Sequence, residues 1–296
     1  MNPVAIITDS TSDLTKELRE QYRIDYLRMN YVVDEKEYPA SLDWESHSAK
    51  EFYDLMRKGK RIRTTQVPRE SFEVVFSDYL SRGYDVVYVA CSSALSGSVL
   101  LAKQMLPELT ERYPQSKLFC VDSLISSLGE GWLAMKAAEL RDEGRSAEQI
   151  AAWLEDNRLK VNQVGCPNDL EYLRRAGRVK ASSAFFGNLF GVKPMIISDR
   201  IGQNYALKKV KGALAARREM AAMIAAEVIE PEKQTLFISH ADDQTAAESL
   251  RDEIMKLAPF ADVTMSYIGP IVGASVGPGT VIAYCVGQEV TVEGKE

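Results

Sequence analysis

The first half of this chain alternates short apolar runs with amphipathic segments, and few folds satisfy that rhythm. "VAIITD" precedes an amphipathic stretch near Asp13 to Tyr22, and "IDYLRMNYVVD" precedes one near Ser48 to Lys58. "YDVVYVAC" precedes a third near Ser98 to Glu111, and "KLFCVD" follows. Leu14, Leu18 and Tyr22 recur at helical spacing on the first stretch. Such alternation is the mark of βαβ units, in which a parallel sheet is covered by helices on both faces. The pattern predicts an α/β, three-layer αβα domain. Ser146 with Gln149 three residues on forms a capping box that opens "AEQIAAWLEDNR", the last helix expected of this domain.

From Val161 onward the alternation loosens. Strand-like "GQNYALKKV", "TLFISH", "ADVTMSYIG" and "TVIAYCVG" share the remainder with helices near Ala213 to Val228 and Thr245 to Leu257. This predicts a carboxyl-terminal α+β domain carrying its helices on one face. A length of 296 residues suits two domains, expected at 1–160 and 161–296, with segment 60–78 free to pack on the second. A cleft between domains is a favoured ligand site.

Composition narrows the functional classes. Hydrophobic residues make up 46% and charged residues 26%, as in soluble globular proteins. A net charge of −6 and the lack of a basic stripe interleaved with aromatics argue against a nucleic-acid partner. No apolar run reaches membrane-spanning length, and the amino terminus lacks an export-signal pattern, so the cytoplasm is the expected compartment. Cys91, Cys120, Cys166 and Cys285 are isolated in apolar segments and read as small buried hydrophobes. His47 and His240 sit in no metal-ligand spacing, and no phosphate-binding glycine loop is present. Neither a metal nor a cofactor is expected.

Chemistry concentrates where strands give way to helices. "CSSALSG" sets Ser92, Ser93, Ser96 and Gly97 between a strand's carboxyl end and a helix's amino end. Free backbone N–H groups and the positive end of the helix dipole make that joint suited to an anion. Thr8, Asp9 and Ser10 follow "VAII", and Asp122 and Ser123 follow "KLFCV", in equivalent places. Helix capping accounts for any one of these turns. Three of them along one edge of a parallel sheet point to a shared ligand crevice.

Thr64, Thr65 and Gln66 stand just before Pro68 in a segment read as an extended loop, where they either add donors to that crevice or form a surface turn. "IGPIVGASVGPGT" spaces four glycines through apolar sequence, for close packing or for a functional loop. The apolar set that includes Phe185, Phe186, Phe190 and Met195 is larger than one amphipathic face requires. Core packing explains such a set in isolation. Beside a donor-rich anion site it also suits a ligand with a small charged head and a long apolar body, whose burial contributes roughly 0.8 kcal/mol per methylene.

Taken together, "TDSTSDL", "TTQ", "SSALSG", "VDS", "LEYLRRAGRV", "GVKPMI" and "IGPIVGASVGPG" resemble, in order and spacing, the DegV family of fatty-acid-binding proteins over nearly the whole chain. The resemblance implies a two-domain, non-enzymatic carrier. It would grip a long-chain fatty acid between its domains and present it to a separate kinase that forms an acyl phosphate. The matching positions imply that Thr64, Thr65 and Ser93 hold the carboxylate, with Ser96, Gly97, Ser10 and Ser123 around them. The apolar tunnel would include Phe186 and Phe190. Arg178 matches an arginine that contacts the head group or the kinase. Ser275 stands where the family commonly has a histidine, so this chain offers a neutral donor there. Two other classes stay open: an enzyme, hydrolase or transferase, using the same cleft, and a binding module for another small anion.

Overall fold

The computed structural model describes residues 2–181, 185 and 191–294. The first half builds a four-stranded, all-parallel sheet in the order β2-β1-β6-β7. Its strands are β1 (Val4–Asp9), β2 (Ile24–Leu27), β6 (Asp85–Ala90) and β7 (Leu118–Asp122). Every residue of β1 and β6 is buried, as expected for central parallel strands covered on both faces. α3 (Arg69–Ser81) and α4 (Ser98–Arg112) pack together, on β6 and β7 respectively, while α1 (Lys16–Tyr22), α5 (Leu128–Asp142) and α6 (Ala147–Asn157) pack with one another and the sheet. The expected capping box at Ser146 and Gln149 is formed.

The chain departs from the sequence expectation after β2. "IDYLRMNYVVD" reads as one strand but makes two, because β3 (Asn30–Val33) leaves the parallel sheet for a separate antiparallel sheet ordered β4-β3-β5. That sheet is completed by β4 (Lys36–Pro39) and β5 (Arg63–Thr65), and α2 (Ala49–Arg57) lies between them in sequence. The segment with Thr64 and Thr65 is therefore not a free loop: Thr64 pairs with Tyr31 and Thr65 with Asn30.

The second half forms a six-stranded mixed sheet in the order β10-β9-β8-β13-β11-β12. Its strands are β8 (Val161–Cys166), β9 (Val192–Ser198), β10 (Asn204–Lys211), β11 (Thr235–His240), β12 (Asp262–Tyr267) and β13 (Val281–Val286). Short α7 (Leu170–Ala176) follows β8, and α8 (Ala213–Glu227) and α9 (Gln244–Leu257) pack together on the sheet. Side chains alternate between faces along a strand. Val281, Ala283 and Cys285 of β13 and Leu236 and Ile238 of β11 join the core beneath α8 and α9. Ile282 and Tyr284 of β13 and Phe237 of β11 face the opposite way, into the core of the first domain.

That second face is covered by α5, which touches β1, β2 and β6 on one side and β8, β11 and β13 on the other. Ten of the fifteen residues of α5 are buried. Gly129 and Gly131 allow this: a Cβ on Gly131 would sit 2.7 Å from the Ser12 carbonyl, and one on Gly129 would sit 2.5 Å from Ile125.

The glycine-rich carboxyl-terminal motif is a short helix, α10 (Pro270–Val276), entered through a proline in its first turn. Its glycines serve packing: a Cβ at Gly273 would strike the Tyr53 hydroxyl at 2.4 Å, and Gly277 lies at φ +79° against the Tyr172 ring. Among the described residues no helix is long and apolar enough to cross a membrane.

Candidate functional site

In the parallel sheet the chain runs outward from β1 to β2 and then returns to the other side of β1 as β6. The crevice outside the carboxyl ends of β1 and β6 is thus a topological switch point, the usual ligand position in open α/β sheets. A cavity of about 150 Å³ lies there. Thr11 after β1, and Cys91, Leu95, Ser96 and Gly97 after β6, form its inner wall. α10 packs against β3 and β5 and sets Ile271, Val272, Ser275 and Val276 opposite Thr64, Thr65 and Gln66. Met29, Ser126, Asn204 and Arg178 complete the lining.

Local bonds explain why the serine turn and the threonine strand meet. Gly97 is the N-cap of α4 and supplies no side-chain cap; Ser96 Oγ accepts the first helical N–H, that of Ser98, at 3.3 Å, and leaves the next N–H groups of the turn without a side-chain cap. Ser98 Oγ accepts the backbone N–H of Val67 at 3.1 Å, which ties the segment after Thr65 to the start of α4. Ser96 and Ser98 hydroxyls lie 3.0 Å apart. A Cβ at 97 would meet Gln66 Oε1 at 2.2 Å, so any larger residue there would push the Gln66 side chain aside. The result is a polar mouth of neutral hydroxyls at the positive end of a fifteen-residue helix. Beneath it lies an apolar wall of Met29, Leu95, Ile271, Val272 and Val276.

Arg178 marks the rim. Its Nε donates to the Leu95 carbonyl at 3.2 Å, and among the described residues it has no carboxylate partner. A second chamber of about 290 Å³ shares Thr64, Arg178 and Ser275 with the first and is lined by Lys60, Arg61, Arg63 and Arg175. Lys60, Arg63 and Arg175 pair with Asp34, Glu35 and Glu171.

Seven of the residues singled out in the sequence converge on the cavity: Thr64, Thr65, Gln66, Ser96, Gly97, Arg178 and Ser275. Three others face elsewhere. Ser93 is half-buried beside the turn, its N–H donating to Asp122 at 3.1 Å, but it does not line the cavity. Ser10 Oγ accepts the Met29 N–H at 3.0 Å, Ser123 Oγ donates to the Ile125 carbonyl at 2.9 Å, and neither residue lines the cavity. Phe186 and Phe190 lie outside the described residues.

Thr11, Met29, Cys91 and Asn204 line the cavity without having stood out in the sequence, though Ile271, Val272 and Val276 sit inside the glycine-rich motif that did. Burial pushes the Cys91 thiol far above its ordinary range, so it contributes a neutral apolar surface, not a thiolate. Neither histidine hydrogen-bonds a serine, threonine or cysteine among the described residues: His47 Nδ1 lies 2.6 Å from the Tyr31 hydroxyl, and His240 packs at a tilt against Tyr267, ring centroids 4.6 Å apart.

Comparison with known proteins gives consistent matches. The family model described as "Uncharacterised protein, DegV family" matches residues 3–286. A DegV domain-containing protein of Clostridium perfringens is 33% identical over 97% of this chain and 99% of its own length. Protein DegV of Bacillus subtilis is 29% identical over 95% of this chain and 99% of its own. Among solved structures, a fatty-acid-binding DegV family protein from Thermus thermophilus aligns with a TM-score of 0.86 at 27% identity, covering 97% of this chain and 100% of that one. DegV from Bacillus subtilis, described as a fatty acid binding protein, aligns with a TM-score of 0.81 at 26% identity, with the same coverage of each chain.

Proposed function

This chain belongs to the DegV family, and from that premise we propose that it binds a long-chain fatty acid and carries it without chemical change. The observation that bears most weight is the union, in one cavity, of a neutral hydroxyl mouth at the head of α4 with an apolar wall. A carboxylate at the mouth would accept from Thr64, Thr65 and Ser96 and from the uncapped leading N–H groups of α4. Ser93 would reach it through a change of rotamer. Ser275 adds a donor that has no proton to lose near neutral pH, unlike a histidine.

The acyl chain runs along Met29, Leu95, Ile271, Val272 and Val276. A volume of about 150 Å³ holds only the first part of a long chain, so the remainder enters as the wall yields. The two domains divide near residue 160; of segment 60–78, β5 meets α10 of the second half, whereas α3 packs on β6 and α4 of the first. The protein acts in the cytoplasm, and the rim around Arg178 is the face it offers to a separate fatty-acid kinase, which forms the acyl phosphate.

Organic extraction of the gently purified protein followed by mass spectrometry tests the ligand. A near-stoichiometric long-chain acid is expected, and protein that emerges without one would refute the reading. A series of carboxylic acids separates it from a small-anion module. Each added methylene should tighten binding by roughly 0.8 kcal/mol until the chain outruns the cavity, whereas a small-anion site would bind acetate as well as a longer acid.

A further inference from the structure

Beneath the cavity three carboxyl groups are buried without a cation. Asp9, Asp13 and Glu130 are all shielded from solvent, and none has a lysine, arginine or histidine partner among the described residues. An unpaired ionised carboxylate in such a place is costly. The bonding pattern shows how the cost is avoided. Thr11 Oγ1 lies 2.5 Å from Asp9 Oδ1 and 2.6 Å from Glu130 Oε2, yet a hydroxyl has one proton and cannot donate to both. One of the two acids must supply the second.

Counting donors identifies which. Asp9 already accepts the Thr11 N–H at 2.9 Å, the Tyr88 hydroxyl at 2.8 Å and the Cys91 N–H at 3.3 Å, a set suited to an anion. Glu130 Oε1 accepts the Thr8 hydroxyl at 2.9 Å, which leaves Oε2 to carry a proton.

We infer that Glu130 is a protonated carboxylic acid at neutral pH and that this proton locks α5 to β1. Its Oε2–H donates to Thr11 Oγ1, and the Thr11 proton goes to Asp9, so every donor and acceptor in the chain is matched. Removing the proton would set two carboxylates on either side of a single hydroxyl, at the helix that joins the two sheets. The titratable groups facing Glu130 are Asp9 on β1, Asp13 in the loop after it, Tyr88 and Cys91 at the end of β6, and Tyr284 on β13. Burial is the leading cause that raises the Glu130 carboxyl far above the usual range, with the Asp9 charge next, while the two threonine bonds act weakly the other way.

The lock does not depend on which ligand occupies the cavity, although Thr11 belongs to its wall. The test is carbon NMR of protein labelled at the glutamate side-chain carboxyls, followed with pH. One resonance should remain in its protonated position at neutral pH while the other glutamates titrate in the ordinary acidic range, and Glu130→Gln should remove that resonance. The glutamine amide reproduces the pattern, accepting from Thr8 and donating to Thr11. The variant should therefore fold and lose one proton's share of pH dependence, about tenfold in the folding equilibrium constant per pH unit above the ordinary glutamate range. If all glutamate carbons titrate together in wild-type protein, the inference fails even should the variant not fold. A Glu130→Gln protein with an unchanged pH slope would overturn it as well.

Discussion

Two strand-to-helix turns on the same sheet edge have nearly the same composition and opposite uses. The turn after β6 keeps Ser96 and Gly97 on the cavity wall, at a helix end whose N-cap glycine supplies no side-chain cap. The turn after β7 sets Ser126 on the same wall but spends its other polar groups on bracing the fold. Asp122 Oδ1 receives the N–H groups of Ser93 and Leu124, Ser123 closes on Ile125, and Ser127 donates to Asp13 at 2.5 Å. A hydroxyl is available to a ligand only where the backbone around it has already been satisfied by other partners. Neighbouring turns can therefore divide into one that faces a cavity and one that mostly braces.

The comparison is most sharply tested at Asp13, which Ser127 of the bracing turn serves. Burial, opposed by bonds from Ser127 and the Gly269 N–H, pushes this carboxyl up to about 7. The folded value lies above the ordinary one, so its stabilising contribution is complete below about pH 4 and is lost as pH rises through about 7. The loss amounts to about 4 kcal/mol on the scale of 1.4 kcal/mol per unit. Denaturant unfolding across that window should show it, and Asp13→Asn should flatten the curve.

The binding turn is addressed by Ser96→Ala combined with Thr65→Ala, which should weaken fatty-acid binding by roughly 3 kcal/mol in calorimetry, since each removes a donor to a charged head, and leave the unfolding midpoint unmoved. The converse is expected of Ser127→Ala: a loss of about 2 kcal/mol in unfolding free energy, because a buried carboxyl is left a donor short, with ligand affinity intact. Smallest is Ser123→Ala, at about 1 kcal/mol of stability and no change in binding. Should Ser123→Ala weaken binding as much as the Ser96 and Thr65 pair, the division between the turns would collapse.

Much of the fold can be read in the sequence, because buried parallel strands and capped helices write themselves as apolar runs and local bonds. The break inside "IDYLRMNYVVD" cannot be read that way, since the two strands share one alternation and part only because β3 finds partners at Lys36–Pro39 and Arg63–Thr65. α3 is hard to read although Phe72, Phe76 and Leu80 stand four apart on its buried side, because Pro68 at its entry favours extended backbone just before it. α10 reads as a loop for a related reason: its glycines, which suggest irregular backbone, in fact admit Tyr53 and Tyr172 at close range. For the site, residue type identified candidate donors but not their direction. Ser10 and Ser123 look like Ser96 until their places relative to the cavity are known.

The placement of α5 has a practical corollary for anyone dividing this molecule. With a sheet against each flank, that helix is the shared spine of both halves, and a fragment beginning at residue 161 would lay Phe237, Ile282 and Tyr284 bare to water. Such a fragment should aggregate when expressed alone. Any ligand of the mouth would then come and go through small local movements around it, because swinging the halves apart would tear the spine from one of its two beds.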